Sequence, residues 1–573
     1  MRFQHPSTNW HRDAAIALLL TLLALFVRVD RLGFNSLSED ETAKWLAVQE
    51  YRQGHFVGVN SEHPMLPKVL EWTSLTVGEH WARLSSAHGW PAPNPEAWLR
   101  LPNVVLGSLT VAALFLLCRQ LMGFAGAFAA SFFWAISPLA IALNRLAKEE
   151  TPLTFFTVLA CYFYCRAKRA NANLKTRRWY DLSAMSFALA FASQYMIHLF
   201  GLNQLAWYLA GRNGLDHKPF AKTCKRFLVV MFVTFLVVNP VFFSPANFNS
   251  VLHWLHHDGI RHSGYAFEGR LYVNLPGRLL AGLPWYYYVR LLFVKTPIPI
   301  LASILAGSVL LLLRNRRSLA SCFFLSFGVL QIVPLSLCGA KWIRYSLPML
   351  PFLYLAGGYA VQEAWNWMQQ RRVSMAVAGA TAVALVAWPV AELYMWSPYY
   401  PFYLNSLGGG ARNITHYFTP DEVSEFDTRE VAQQVCPTAP QGARLATARP
   451  MSMHYYIEQC GRNDIQVLPL YDSQYVPSAG DLIILEPSRR FFETQRFFDA
   501  LATARMSHSE VHVGPVLAST IYHFEPSTLD QDGQEVLAGG ARPKTYLAAH
   551  AAAPKRMTTD ILVLWPFPLR RTR

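Results

Sequence analysis

Residues 14–29, AAIALLLTLLALFVRV, decide the class of this protein. The run carries no charge before Arg28, and it approaches the roughly 20 apolar residues that a helix needs to cross a bilayer core. A signal peptide has a core of similar length, but Arg28, Asp30 and Arg31 follow without a small-residue cleavage site, so the segment reads as a retained helix. Working outward, runs of the same kind recur at Val104–Leu117 and Phe227–Phe243, separated by short basic stretches. With 53% hydrophobic and only 15% charged residues in a chain of 573, such runs are too numerous for one soluble core. The fold class expected is an α-helical polytopic membrane protein.

A bilayer-sized window places about eleven transmembrane helices. They lie near residues 12–30, 101–118, 124–143, 150–167, 180–196, 197–211, 227–243, 291–313, 319–338, 345–363 and 373–395. The connections Arg166–Arg178, Arg212–Arg226, Arg314–Arg317 and Arg371–Arg372 are rich in Lys and Arg, which assigns all four to the cytoplasm. The N-terminus is then cytoplasmic, and Arg31–Arg100, Ser244–Arg290 and everything after Trp396 lie outside. The net charge of +15 sits in these connections; it sets topology and argues against nucleic acid as a partner.

After the turn cluster Ser397–Pro401 and the glycines Gly408–Gly410, the apolar runs shorten to strand length. Arg444–Ala448, Ile465–Leu470 and Asp481–Leu485 read as strands, Arg489–Ala504 as an amphipathic helix and Val511–Phe524 as a hairpin. The organisation expected is a membrane domain over 1–400 with outer loops 31–100 and 244–290, a small extramembrane C-terminal α/β domain over 401–526, and a tail, 527–573, to which no structure is assigned. Cys436 and Cys460 are the only cysteines of the α/β domain and form a disulfide candidate if it faces an oxidising compartment. The other six cysteines fall in or beside apolar runs as packing residues.

The first outer segment carries Ser38-Glu39-Asp40-Glu41 ahead of a helical stretch, Ala43–Tyr51. Ser38 and Glu41 have the spacing of a capping box, and acids in a first turn suit the helix dipole. Capping does not require Asp40. A carboxylate held where a helix meets the membrane surface is also what a general base needs to take a proton from a hydroxyl delivered from water.

Here the sequence resembles a family, the polyprenyl-phosphate-dependent glycosyltransferases of the GT-C class, and within it the protein O-mannosyltransferases. Asp40-Glu41 resembles the acidic pair after that family's first helix. Glu62-His63-Pro64-Met65-Leu66-Pro67-Lys68 resembles its His-Pro-Pro-Leu-Gly-Lys loop, with Met65 and Pro67 replacing Pro and Gly. Arg100-Leu101-Pro102, then Asn144-Arg145 with Glu150, Pro152, Leu153, Phe155 and Phe156, follow in the family's order, Glu150 standing where Asp is usual. Pro284–Tyr288 with Lys295-Thr296-Pro297, the element Lys341–Pro348 and Pro398–Gly409 complete an ordered set. Ser244–Arg290 is too short for the β-trefoil insert of the eukaryotic enzymes, which favours the bacterial branch and its cytoplasmic (inner) membrane.

The resemblance implies a sugar donor on a polyprenyl phosphate, a hydroxyl acceptor on protein, lipid or glycan, and an inverting displacement. It implies Asp40 as the base and Glu41 as a helper. His63, Lys68, Arg145, Lys341, Arg344 and His262 are implied near donor phosphate or substrate; Glu150 stands with them or pairs with Arg145. Basic residues at outer span ends also snorkel to lipid headgroups, the plainer reading of the same residues. The cluster His253, His256, His257 and His262 with Asp258 lacks the spacing of a complete ligand set, so no metal is assigned. A secondary transporter is the rival reading, but no internal repeat is visible and the candidate groups gather at outer ends rather than at the midplane. A membrane-anchored binding protein would leave most spans unexplained.

Overall fold

A computed structural model describes residues 10–90, 94–169, 174–195, 220–253, 262–274, 280–316, 318–471, 475–487, 492, 495–504 and 506–529. It divides into two compact units. Met1–Gly259, Tyr288–Leu335 and Trp342–Ile414 make the first; Ile260–Tyr287, Ser336–Lys341 and Thr415–Arg573 make the second.

The first unit is helical. Its opening elements are α1 (Trp10–Val29), α2 (Glu39–Arg52), α3 (Met65–His88), α4 (Pro95–Leu121), α5 (Phe124–Ile136), α6 (Pro138–Asn144), α7 (Glu150–Arg169) and α8 (Leu174–Ser193). Among the described residues, three helices are long and apolar enough to cross a membrane: Pro95–Leu121, Leu319–Leu337 and Ala376–Met395. A fourth is possible where α5 and α6 join across a 57° bend, at the point where Ser137 ends one helix and caps the next through the N–H of Ala140. Helices also occupy the expected spans at α1, α7, α8, Phe220–Val238, Ile298–Arg314 and Leu350–Gln370. Several of these are short or charged: Ile298–Arg314 has 17 residues, and α7 opens on Glu150 and ends with Arg166, Lys168 and Arg169. The span expected near 197–211 lies outside the described residues.

Small residues bring these helices together, as helices in lipid require. A Cβ on Gly358 would lie 2.4 Å from the carbonyl oxygen of Gly126 in α5, and one on Gly307 would lie 1.7 Å from that of Ala356. Backbone therefore packs directly on backbone, which no larger residue permits.

In the second unit, β1 (His262–Phe267) and β2 (Arg270–Asn274) form an antiparallel hairpin. A five-stranded sheet runs in the order β4-β3-β5-β7-β6, built from β3 (Arg444–Thr447), β4 (Gln466–Pro469), β5 (Leu482–Leu485), β6 (His508–Val513) and β7 (Val516–His523). β3 is parallel to β4 and β5, while β7 is antiparallel to both its neighbours. The run Leu482-Ile483-Ile484-Leu485 is buried on both faces, as a central strand covered on both sides must be. Thr428–Thr438 and Pro450–Gln459 pack on one face with Leu445, Leu482 and Ile484; Gln495–Thr503 packs on the other with Ala446 and Ile483. Cys436 and Cys460 are joined by a disulfide with Cα atoms 6.4 Å apart. The tail from residue 530 lies outside the described residues.

Candidate active site

Three segments of the first unit converge on the N-terminus of α2. The capping box is formed: the N–H of Glu41 donates to Ser38 Oγ at 3.3 Å, and the N–H of Ser38 donates to Glu41 Oε2 at 3.0 Å. Successive residues of a helix point about 100° apart, so Glu41 turns inward and Asp40 outward. Glu41 is fully enclosed (0% exposed). Its Oε1 and Oε2 each accept from Arg100 at 2.8 Å, and Oε1 also accepts the N–H of Ala147 at 2.9 Å. Burial pushes this carboxyl up, but Arg100 and the backbone donors outweigh it and hold the pKa at about 2. Arg100 donates further to the carbonyls of Leu32, Asn35 and Ser36. Glu41 is thus enclosed, with both of its oxygens taken by protein donors.

The second segment is the turn Leu146-Ala147-Lys148-Glu149 between α6 and α7. Asn103 of α4 donates to the carbonyls of Leu146 and Lys148. Lys44 of α2 donates to the carbonyl of Ala147 at 2.6 Å and pairs with Glu149 at 2.8 Å. Gripped on both sides, the turn presents Lys148, only 8% exposed, to Asp40 Oδ2.

The third segment is the 3-10 turn Ile343–Met349. Arg344 Nη1 lies 3.5 Å from the same Oδ2 of Asp40, and Arg344 Nε lies 3.3 Å from Glu150 Oε1. The rings of Trp342 and Tyr345 flank the guanidinium at 5.6 and 5.5 Å. Glu150 therefore pairs with Arg344; of the two readings open to it, the pairing with Arg145 is not the one found. Arg145 instead donates to the carbonyl of Arg31 at 2.7 Å and stands over the ring of Tyr400.

Asp40 keeps 52% of its side chain open while protein groups crowd its other sides, so its carboxylate is both reachable and held. Burial on the crowded side raises its proton affinity, but Lys148 and then Arg344 outweigh that and keep the carboxyl well below the usual carboxylate range. Lys148 is lowered, first by its own burial, which Asp40 offsets only in part while Arg344 repels it.

His63 and Lys68 form a neighbouring sector. His63 Nδ1 lies 3.4 Å from Glu149. Lys68 is buried, donates to the carbonyls of Asn60 and His63, and is lowered to about 8 by burial, partly offset by Glu62, Glu149 and Glu71. Glu71 is also buried, neither of its oxygens finds a hydrogen-bond donor among the described residues, and burial raises it to about 8 despite Lys44. Because its folded pKa lies above the unfolded value of about 4.3, the folded state binds more protons between the two values. Stability then falls as pH rises from the unfolded to the folded pKa. Glu71→Gln should raise the thermal midpoint of the detergent-solubilised protein at pH 9 and leave it nearly unchanged at pH 4. An equal shift at both would remove this assignment.

Asp40, Glu150 and Arg344 thus come together, with Glu41 behind them and His63 and Lys68 alongside through Glu149. Lys341 belongs to the second unit, where its ammonium donates to the carbonyls of Leu283 and Cys338. His262 opens β1, its side chain lying outside the described residues, as do His256, His257 and Asp258; His253 is exposed. Among the described residues no group of three or more His, Cys, Asp or Glu is arranged to hold a metal ion. Sequence reasoning missed Lys44, Glu71, Asn103, Lys148 and Glu149. The signal available was the charged triplet Lys148-Glu149-Glu150, set between two apolar runs and passed over for its last member.

A sequence-family model described as dolichyl-phosphate-mannose-protein mannosyltransferase matches residues 93–243. Two crystal structures of ArnT from Cupriavidus metallidurans share the fold. The one bound to undecaprenyl phosphate is 14% identical with a TM-score of 0.50, covering 90% of this chain and 98% of that one. The apo form is 14% identical with a TM-score of 0.51, covering 88% and 97%. No curated protein sequence matches. The chain resembles the GT-C polyprenyl-phosphate glycosyltransferases, and among them the protein O-mannosyltransferases.

Proposed function

We propose that this chain transfers a single sugar from a polyprenyl phosphate to a hydroxyl on protein, lipid or glycan, at the extracytoplasmic face of a bacterial inner membrane. One observation carries the reading: Asp40 offers a half-open carboxylate backed by Lys148 and Arg344. The leaving group is a phosphate anion, which needs no general acid, only fixed positive charge near its oxygens in a partly dehydrated site. Asp40 takes the acceptor proton as oxygen attacks the anomeric carbon from the face opposite the phosphate, so configuration inverts. Glu41, Asn103 and Lys44 position this machinery. No metal is required by the steps proposed.

Residues 1–400 form the transferase domain in this reading, with the N-terminus in the cytoplasm, and 401–526 form an extracytoplasmic α/β domain. A transporter of a polar or lipid-linked substrate is the second reading. The clustering of ionisable groups on loops and helix ends disfavours it, since transporters hold such groups at the midplane. The test is purified protein in lipid vesicles with an undecaprenyl-phosphate sugar and a hydroxyl acceptor. Release of undecaprenyl phosphate together with a glycosylated product supports transfer; movement of the lipid or sugar across the vesicle without bond cleavage supports transport.

A further inference from the structure

We infer that Lys148 and Arg344 are shared cations, which neutralise Asp40 in the resting site and pass to the donor's phosphate when it binds, freeing the carboxylate to act as base. The inference rests on the donor reading above and adds Lys148 as a catalytic residue. Three observations carry it. Both cations converge on one oxygen of Asp40, Oδ2, although the side chain is half open. Lys148 has no freedom to be an incidental surface lysine, because Asn103, Lys44 and Glu41 all grip the turn that bears it. Arg344 is already divided between Asp40 and Glu150, with a carboxylate on each side, so a newly arriving anion competes for a donor fork rather than finding an idle one.

The charge balance of transfer explains why sharing helps. The donor is a phosphodiester of charge −1, and Asp40 starts as −1. The acceptor's O–H proton goes to Asp40, its oxygen bonds to the anomeric carbon, and the anomeric C–O bond to phosphate breaks with its electron pair on the phosphate. The products are a neutral Asp40 carboxylic acid and a prenyl phosphate of charge −2, so the total stays −2. Negative charge thus leaves the carboxylate and accumulates on the phosphate during one step. Cations that have passed from the carboxylate to the phosphate stand where that charge accumulates and bind most strongly as the transition state develops, which is the kind of contact that raises rate. Cations dedicated to Asp40 alone would oppose the proton transfer.

The test is equilibrium binding of undecaprenyl phosphate, with undecaprenol as the uncharged control, to purified full-length protein near neutral pH. Asp40→Asn removes the competitor for both cations, so it should bind undecaprenyl phosphate more tightly than wild type, by about tenfold for one charge-assisted hydrogen bond recovered. Lys148→Met should bind it at least about tenfold more weakly. In the double variant the gain from Asp40→Asn should shrink, because one of the contested cations is gone. Lys148→Arg should recover part of the binding, which guards against a folding defect. Equal binding by wild type and Asp40→Asn would overturn the shared-cation inference while leaving the donor reading intact. Failure of wild type to prefer undecaprenyl phosphate over undecaprenol would overturn the donor reading itself.

Discussion

Asp40→Asn should lower the rate of transfer by about 10²- to 10⁴-fold, the usual contribution of a positioned general base, while the protein still inserts and reaches wild-type abundance. The substitution preserves shape and removes only the capacity to take a proton. It is structurally mild because Asp40 is half open and makes no contribution to the capping box, which belongs to Ser38 and Glu41. The loss should appear in kcat, measured at saturating donor, and tightened product binding should accompany it. A variant that retained more than about a tenth of wild-type kcat would place the base elsewhere. A simple anchor or transporter would hardly respond.

Arg100→Ala should cost about 3–5 kcal/mol of stability, the penalty for removing one partner of a buried ion pair. Glu41 would be left enclosed and charged, and the carbonyls of Leu32, Asn35 and Ser36 would lose their donor. The loop that leads into α2 and the turn that carries Lys148 both rest on this pair through Glu41, so Asp40 and Lys148 would lose their alignment together. The measurement is the thermal midpoint in detergent, with steady-state abundance alongside. Glu41→Ala combined with Arg100→Leu should be less damaging than Arg100→Ala alone, because no bare charge remains in the interior. Wild-type stability in Arg100→Ala would contradict the scaffold role given to Glu41.

What could be read in advance follows from the range of the interactions. The helix cap at Ser38 and the outward direction of Asp40 are local consequences of a few adjacent residues. The strands of the second unit announce themselves through short runs such as Leu482–Leu485 between turn residues. Lys148 is different: it stands 108 positions from Asp40, and a lysine at a helix end is equally well explained by lipid headgroups. Glu71 looks like one more polar position on an amphipathic helix until burial without a hydrogen-bond partner among the described residues marks it. Lys341 and Arg344 sit three residues apart in one motif, yet they fall in different units and the lysine is consumed by two carbonyls. Spacing alone does not tell a basic residue that holds backbone from one that waits for an anion.

The most direct measurement is photoaffinity labelling of the purified protein with a polyprenyl phosphate that carries a photoreactive group next to its phosphate, followed by peptide mapping. Labels should fall on the segments around Asp40, Lys148 and Arg344 and be displaced by unlabelled undecaprenyl phosphate. Displaceable labelling confined to other parts of the chain would contradict a phosphate site at this carboxylate.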